Sequence, residues 1–440
     1  SRKKKSFLSS IIYIMLRRKT KTQGATTQDT ATENQFWRLV KDDQGLLSVN
    51  GNAPAQASDM STTNESSSRS FIARVFLRTV LPVGYPQSVA PEYVKFQLYD
   101  TLQEASGYFR GLLSTQAYLT GLGVGDESTS PIAAVITTLI LAYPAMIFGL
   151  LVGAMPSMVS AFSASQKRYQ VFKEILLLVG TTLALVASEN PVYFLHISAV
   201  AAAFSAVGNV MGSVSRSPLI QHLARADNYS DCAAKESNQS KLLKLVLILV
   251  GYQFLVWVNL SAVRARVAFA ALSLSKVAFV ALSMKTLALR TLNEQRLFLL
   301  LKNWTPKLRD LGTPESVAAM EVLFFSSRVT ITTNVNSAIR KNNLSEAEVK
   351  AMITDKGDQQ SKHLLIGNNV IAFPCGIDVR PEEKLLAFMH WFLKESSSSK
   401  DDDVDVANLL GEAKKLLSEF QAQAVEKGWA VDRVLLPVST

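Results

Sequence analysis

Cysteine is nearly absent: Cys232 and Cys375 are the whole supply and lie far apart in the chain. That excludes a disulfide framework and a thiolate metal cluster. Histidine is equally scarce. His196, His222, His363 and His390 share no ligand spacing, so no zinc site is expected. Catalytic signatures are missing too. There is no Gly-x-Ser-x-Gly elbow, no His-Glu-x-x-His and no convincing pair of carboxylates. The expectation is therefore a non-enzymatic protein without a metal or cofactor.

Charge of either sign is missing from Ser128 to Gln166, and no acidic residue precedes Asp29. Water rarely tolerates such a stretch, whereas a hydrocarbon span needs about 20 consecutive apolar residues. The basic start brackets the short apolar run Phe7–Leu16 between Arg2–Lys5 and Arg17–Lys21. It is too short to span, and reads as the tail of an organelle transit sequence, a surface-lying helix or an ordinary basic tail. The formal net charge of +10 could suit nucleic acid, but no basic patch is interleaved with aromatics, which argues against single-strand binding. Anionic lipid or a basic organelle interior remains.

What is present is hydrophobicity in blocks. Overall, 48% of the 440 residues are hydrophobic and the mean hydropathy is +0.16. Five segments carry the excess: Ile132–Met155, interrupted by Pro144, then Phe172–Ala187, Val192–Val214, Leu242–Val263 and Val267–Leu289. Gly149 and Gly153, like Gly208 and Gly212, stand four apart, a spacing that lets helix backbones approach closely in lipid. Lys167, Arg168 and Lys173 flank one expected loop, and Arg216, Arg225, Lys235, Lys241 and Lys244 another on the same side. Arg264 and Arg266 run against this positive-inside pattern.

Around this middle lie two other regions. Residues 1–70 read as a basic N-terminus and a polar strap, because Thr20–Ser70 is rich in Thr, Ser, Gln and Asn with little periodicity. Residues 305–440 read as a small α+β domain. Thr313-Pro314-Glu315 opens a helix, Arg328–Asn334 alternates as a strand, and Gly367-Asn368-Asn369 turns a hairpin. Helices are expected from Pro381 to Lys394 and before Gly428. The fold class is thus mainly α, a helical membrane domain over 71–304 followed by α+β.

Several ordered motifs resemble the root UV-B sensitive (RUS) family. Pro82-Val83-Gly84-Tyr85-Pro86-Gln87-Ser88-Val89 leads to Tyr93, Gln97 and Asp100, and Gly121–Asp126 follows with Gly123, Gly125 and Asp126. Next come Ser215-Arg216, His222, Ala224-Arg225, Asn228, Asp231, Lys235 and Gln239, then Lys285 and Leu289–Arg296 with Asn293 and Arg296. Gly428-Trp429 and Asp432–Leu435 close the series. The resemblance covers about Phe71 to Val438. It implies an organelle- or membrane-associated protein with no established reaction, plant members being linked to plastids and vitamin B6 balance.

Two segments invite a ligand. Gly121–Asp126 reads as a backbone nest for phosphate or as a helix stop; it lacks the Lys-Ser/Thr of a P-loop. Arg216, His222, Arg225 and Lys235 read as contacts for an anionic headgroup or a phosphorylated metabolite, or as a salt-bridged loop pinning helices. His196 lies within an apolar segment and reads as a hydrogen-bonded structural residue or a functional one. The whole reading is a scaffold or accessory subunit of an organellar membrane assembly, whose partners are other membrane subunits and lipid, not nucleic acid. A carrier for a small anionic, vitamin-like metabolite is the alternative. The basic balance favours the mitochondrial inner membrane, with a plastid membrane as the other choice.

Overall fold

The computed structural model describes residues 37–41, 47–51, 75–124, 130–304, 311–324, 327–345, 363–367, 369–374, 379–397 and 406–439. The chain divides into two units, Ser1–Thr79 and Val80–Thr440.

The first unit holds an antiparallel hairpin, β1 (Trp37–Lys41) and β2 (Leu47–Gly51), with Trp37 opposite Gly51. This departs from the expected structureless strap. Leu-Ser-Val-Asn alternates apolar and polar residues and Trp-Arg-Leu does so until Val40 breaks the pattern, a run too short to stand out in a polar tract. The basic run Arg2–Lys21 lies outside the described residues.

In the second unit, α1 (Tyr93–Gly121) precedes six further helices: α2 (Pro131–Gly153), α3 (Pro156–Ala164), α4 (Gln166–Ser188), α5 (Phe194–Leu223), α6 (Tyr229–Val258) and α7 (Ala262–Thr286). Five stretches, Ile132–Gly153, Gln166–Ser188, Pro191–Leu223, Tyr229–Val258 and Ala262–Thr286, are long and apolar enough to cross a membrane. Pro144 does not interrupt α2. A proline forfeits one intrahelical bond, and the run of good apolar neighbours on both sides carries the helix across it.

The segment ends also differ from expectation. The fourth apolar segment starts at Leu242, yet α6 starts at Tyr229, because the intervening Ser, Lys, Glu and Gln hold no helix breaker. The turn between α6 and α7 falls at Asn259–Ser261 rather than beyond Val263. Close approach of α4 and α5 needs Gly180: a Cβ there would stand 2.9 Å from the Ala201 carbonyl oxygen and 2.6 Å from Ser205 Oγ.

The C-terminal part is α+β. Strand β3 (Thr291–Asn293) runs into α8 (Glu294–Asn303), followed by α9 (Pro314–Met320), β4 (Thr330–Thr332), α10 (Val335–Lys341), β5 (Leu364–Ile366), β6 (Val370–Ala372), α11 (Pro381–Ser397), α12 (Val406–Glu426), β7 (Ala430–Leu435) and β8 (Val438–Ser439). One sheet has the order β5-β6-β4-β8, with β4 parallel to β6 and β8; β3 pairs in parallel with β7. Thr313 caps α9 by accepting the Ser316 amide proton, as its sequence predicts. Leu292, Leu297 and Leu300 pack with Phe373, Phe388, Trp391 and Phe420 in one core, so residues on both sides of position 304 build this region.

Candidate functional site

The stretch from Arg216 to Lys235, expected as a loop, is mostly helix. Arg216 and His222 lie in the last turns of α5, Asp231 and Lys235 in the first turns of α6, and only 224–228 links them. Hydropathy falls at Ser215 because charge begins there, not because the helix ends.

Each cation here has its own neighbours. Arg216 forks onto Asp100, with Nη1–Oδ1 at 2.9 Å and Nη2–Oδ2 at 2.7 Å, and also grips Glu236 through Nε at 2.8 Å. Its guanidinium also stands 5.0 Å over the Phe96 ring. His222 Nε2 hydrogen-bonds Glu92 Oε1 at 2.7 Å. Lys235 faces Asp231 at 3.8 Å, one helical turn away. Arg225 is exposed, and its amide donates to the Ser88 carbonyl at 3.0 Å. The four expected anion contacts therefore do not converge on one pocket.

What they do is bind two sequence motifs together. The Val83 amide donates to Asp231 Oδ2 at 2.7 Å. Val89 bridges Ala224 antiparallel, and the Ala90 amide donates to the Leu223 carbonyl at 2.9 Å. Gly84 holds φ at +77°, a left-handed value that suits glycine, and Tyr85–Pro86 is a cis peptide. Gln239 Nε2 donates to the Val80 carbonyl at 2.7 Å. Burial pushes Glu92 up, but the His222 bond and charge and backbone amides outweigh it and hold this carboxyl below its ordinary value.

Helix α1 ends at Gly121, and Gly123 takes a φ of +71°, the geometry of a helix stop. Gly125 and Asp126 lie outside the described residues. His196 is exposed on α5.

Sequence reasoning missed a second charge centre. Glu174 of α4, with no exposed side-chain surface, meets Lys276 of α7 at 2.9 Å, Lys173 at 3.1 Å and Arg110 of α1 at 3.9 Å. Lysine 276 interrupting an apolar segment was the signal available. Unpaired, such a group is very costly in an apolar interior, so Lys276 required some carboxylate, although nothing in the sequence says which.

The third centre joins the helices to the C-terminal region. Asn293 caps α8, accepting the Arg296 amide proton at 3.0 Å, and its Nδ2 donates to the Ala164 carbonyl at 3.3 Å. Arg296 pairs with Glu321 at 2.7 Å and donates to the Thr291 carbonyl at 2.8 Å; Lys167 is also bonded to Glu321. Burial raises Glu321, yet Arg296 and Lys167 prevail and keep it below the ordinary carboxylate value. Beside this triad is a cavity of about 100 Å³, also lined by Arg168, Lys285 and Glu294. A further pair, the buried His363 and His390, is hydrogen-bonded between Nε2 of the first and Nδ1 of the second at 3.0 Å.

A family model described as "Vitamin B6 photo-protection and homoeostasis domain" matches residues 66–307. The chain belongs to the RUS family.

The chain is similar to protein root UVB sensitive 3 of Arabidopsis thaliana, with 25% identity over 87% of this chain and 89% of that protein. It is similar as well to chloroplastic protein root UVB sensitive 2 of the same plant, 24% identical over 82% of this chain and 83% of the relative. RUS family member 1 of Dictyostelium discoideum is 25% identical over 57% of this chain and 48% of its own length. No solved structure matches. The RUS motifs map onto the joints: the first and third meet at Val83–Asp231, and the fourth and last meet where β3 pairs with β7.

Proposed function

We propose that this RUS protein is embedded in an organellar membrane and acts there without catalysis, as a scaffold or accessory subunit that packs against other membrane subunits. The observation that carries this reading is α2. It is apolar all round, and only 11% of its most apolar window is buried within the chain. Such a helix needs lipid or a protein neighbour. Its small residues leave room for one: nothing lies within 4 Å of a Cβ placed on Gly153. The accessory reading gains over the carrier reading because Arg216, His222 and Lys235 are each engaged by a carboxylate of the chain itself.

A plastid membrane now stands ahead of a mitochondrial one. The mitochondrial preference rested on basic composition alone, whereas one relative at 24% identity carries the word chloroplastic in its name. Native purification in mild detergent tests the role. Migration within a larger assembly, reduced by Gly153→Leu, is the expected result; migration as a lone monomer overturns it.

A further inference from the structure

The cavity at the third charge centre has a composition that the accessory role does not use. Four cations line it: Lys167 and Arg168 from the first turn of α4, Lys285 from the last turn of α7, and Arg296 from the first turn of α8. Two carboxylates face them, and both are occupied. Glu321 holds Lys167 and Arg296. Glu294 accepts the Arg328 amide at 2.6 Å, the Val329 amide at 3.2 Å and the Ser327 hydroxyl at 2.7 Å.

Arg168 has a partner of its own, so the balance is drawn over Lys167, Lys285 and Arg296 against those two carboxylates, and it is positive. Lys167 is 6% exposed, and among the described residues its ammonium bonds only Glu321, although it carries three donors. Buried donors seek acceptors. The start of α4 and the capped start of α8 both border the cavity and add positive dipole ends to the same space.

We propose that this cavity binds a phosphate group borne on a small molecule or on a lipid headgroup. Lys167, Lys285 and Arg296 against two engaged carboxylates leave positive charge for a phosphate, and Arg with Lys supplies both a fork and point charges for its oxygens. Size narrows the ligand. About 100 Å³ is well short of the roughly 300 Å³ or more of a pocket that engulfs a drug-sized ligand. The phosphate enters and the rest of the molecule stays outside. Lys167 opens one candidate membrane span and Lys285 closes another, so the cavity lies at span ends, where basic pockets meet headgroups. This inference stands apart from the accessory role, since a bound phosphate could brace the joint in a monomer or in an assembly.

The test uses the full chain in detergent, titrated with inorganic phosphate and with glycerol 3-phosphate at constant ionic strength, chloride being the control. In parallel, the chain is placed in phosphatidylcholine vesicles with and without phosphatidic acid. Thermal unfolding and calorimetry read the outcome. Protection by free phosphate or by glycerol 3-phosphate supports a soluble phosphorylated ligand; protection by phosphatidic acid alone supports a lipid headgroup. In either case Lys285→Gln, at an exposed position, weakens binding about tenfold, roughly 1.4 kcal/mol, while Lys302→Gln outside the cavity does not. Equal melting in phosphate, glycerol 3-phosphate and chloride together with indifference to phosphatidic acid overturns the proposal. So does protection that Lys285→Gln leaves unchanged.

Discussion

Asp231 and Val83 stand 148 positions apart, yet the carboxylate of one accepts the amide proton of the other at 2.7 Å. This bond ties the turn at Pro82–Pro86 to the first turn of α6. With the Val89–Ala224 bridge, it makes the two motifs one structural joint.

Removing that acceptor frees the turn. Asp231→Ala should destabilise the chain by about 1–2 kcal/mol, the scale of a partly exposed charge-assisted bond. Asp231→Asn should recover part of the loss. Thermal melting in detergent reads both.

Arg216 should tolerate no replacement. Arg216→Met leaves Asp100 and Glu236 facing one another without their shared cation, a loss of about 3–5 kcal/mol for a broken buried pair. Arg216→Lys should rescue little, because a point charge cannot fork onto Asp100 and hold Glu236 together. Full rescue by lysine would show that charge alone matters.

Gly180 and Gly153 separate close packing from open surface. Gly180→Ala drives a Cβ against the Ala201 carbonyl, with an overpacking cost of about 1–3 kcal/mol. Gly153→Ala meets nothing within 4 Å and should leave the melting temperature of the isolated chain unchanged.

Acid should weaken both motif joints. Glu92 and Glu321 are held below the ordinary carboxylate value of 4.5. Their contribution is therefore complete above that unfolded value and fades as pH falls through the lower folded one. Melting temperature measured from pH 7 downward should drop below about pH 4.5, and Glu92→Gln should flatten that drop while lowering stability at pH 7.

The apolar segments were legible because length and hydropathy are local properties. So were the Thr313 cap and the turn at Gly367, where a few adjacent residues set the backbone. Charge partners were not legible. Nothing near Lys276 in sequence points to Glu174, and nothing near Arg216 points to Asp100; only the packing of distant helices brings them together. The anion contacts expected at Arg216–Lys235 illustrate the difficulty. Basic residues at helix ends look alike in sequence whether a carboxylate of the chain or an outside ligand balances them. The cavity around Lys167 and Lys285 was not legible because its lining comes from five separate helices.

The central claim is that the five apolar helices are solvated by lipid. Alkaline carbonate extraction of membranes containing the full chain tests it most directly. The account predicts that the protein stays with the membrane pellet. Quantitative release as a monodisperse, detergent-free species would contradict it.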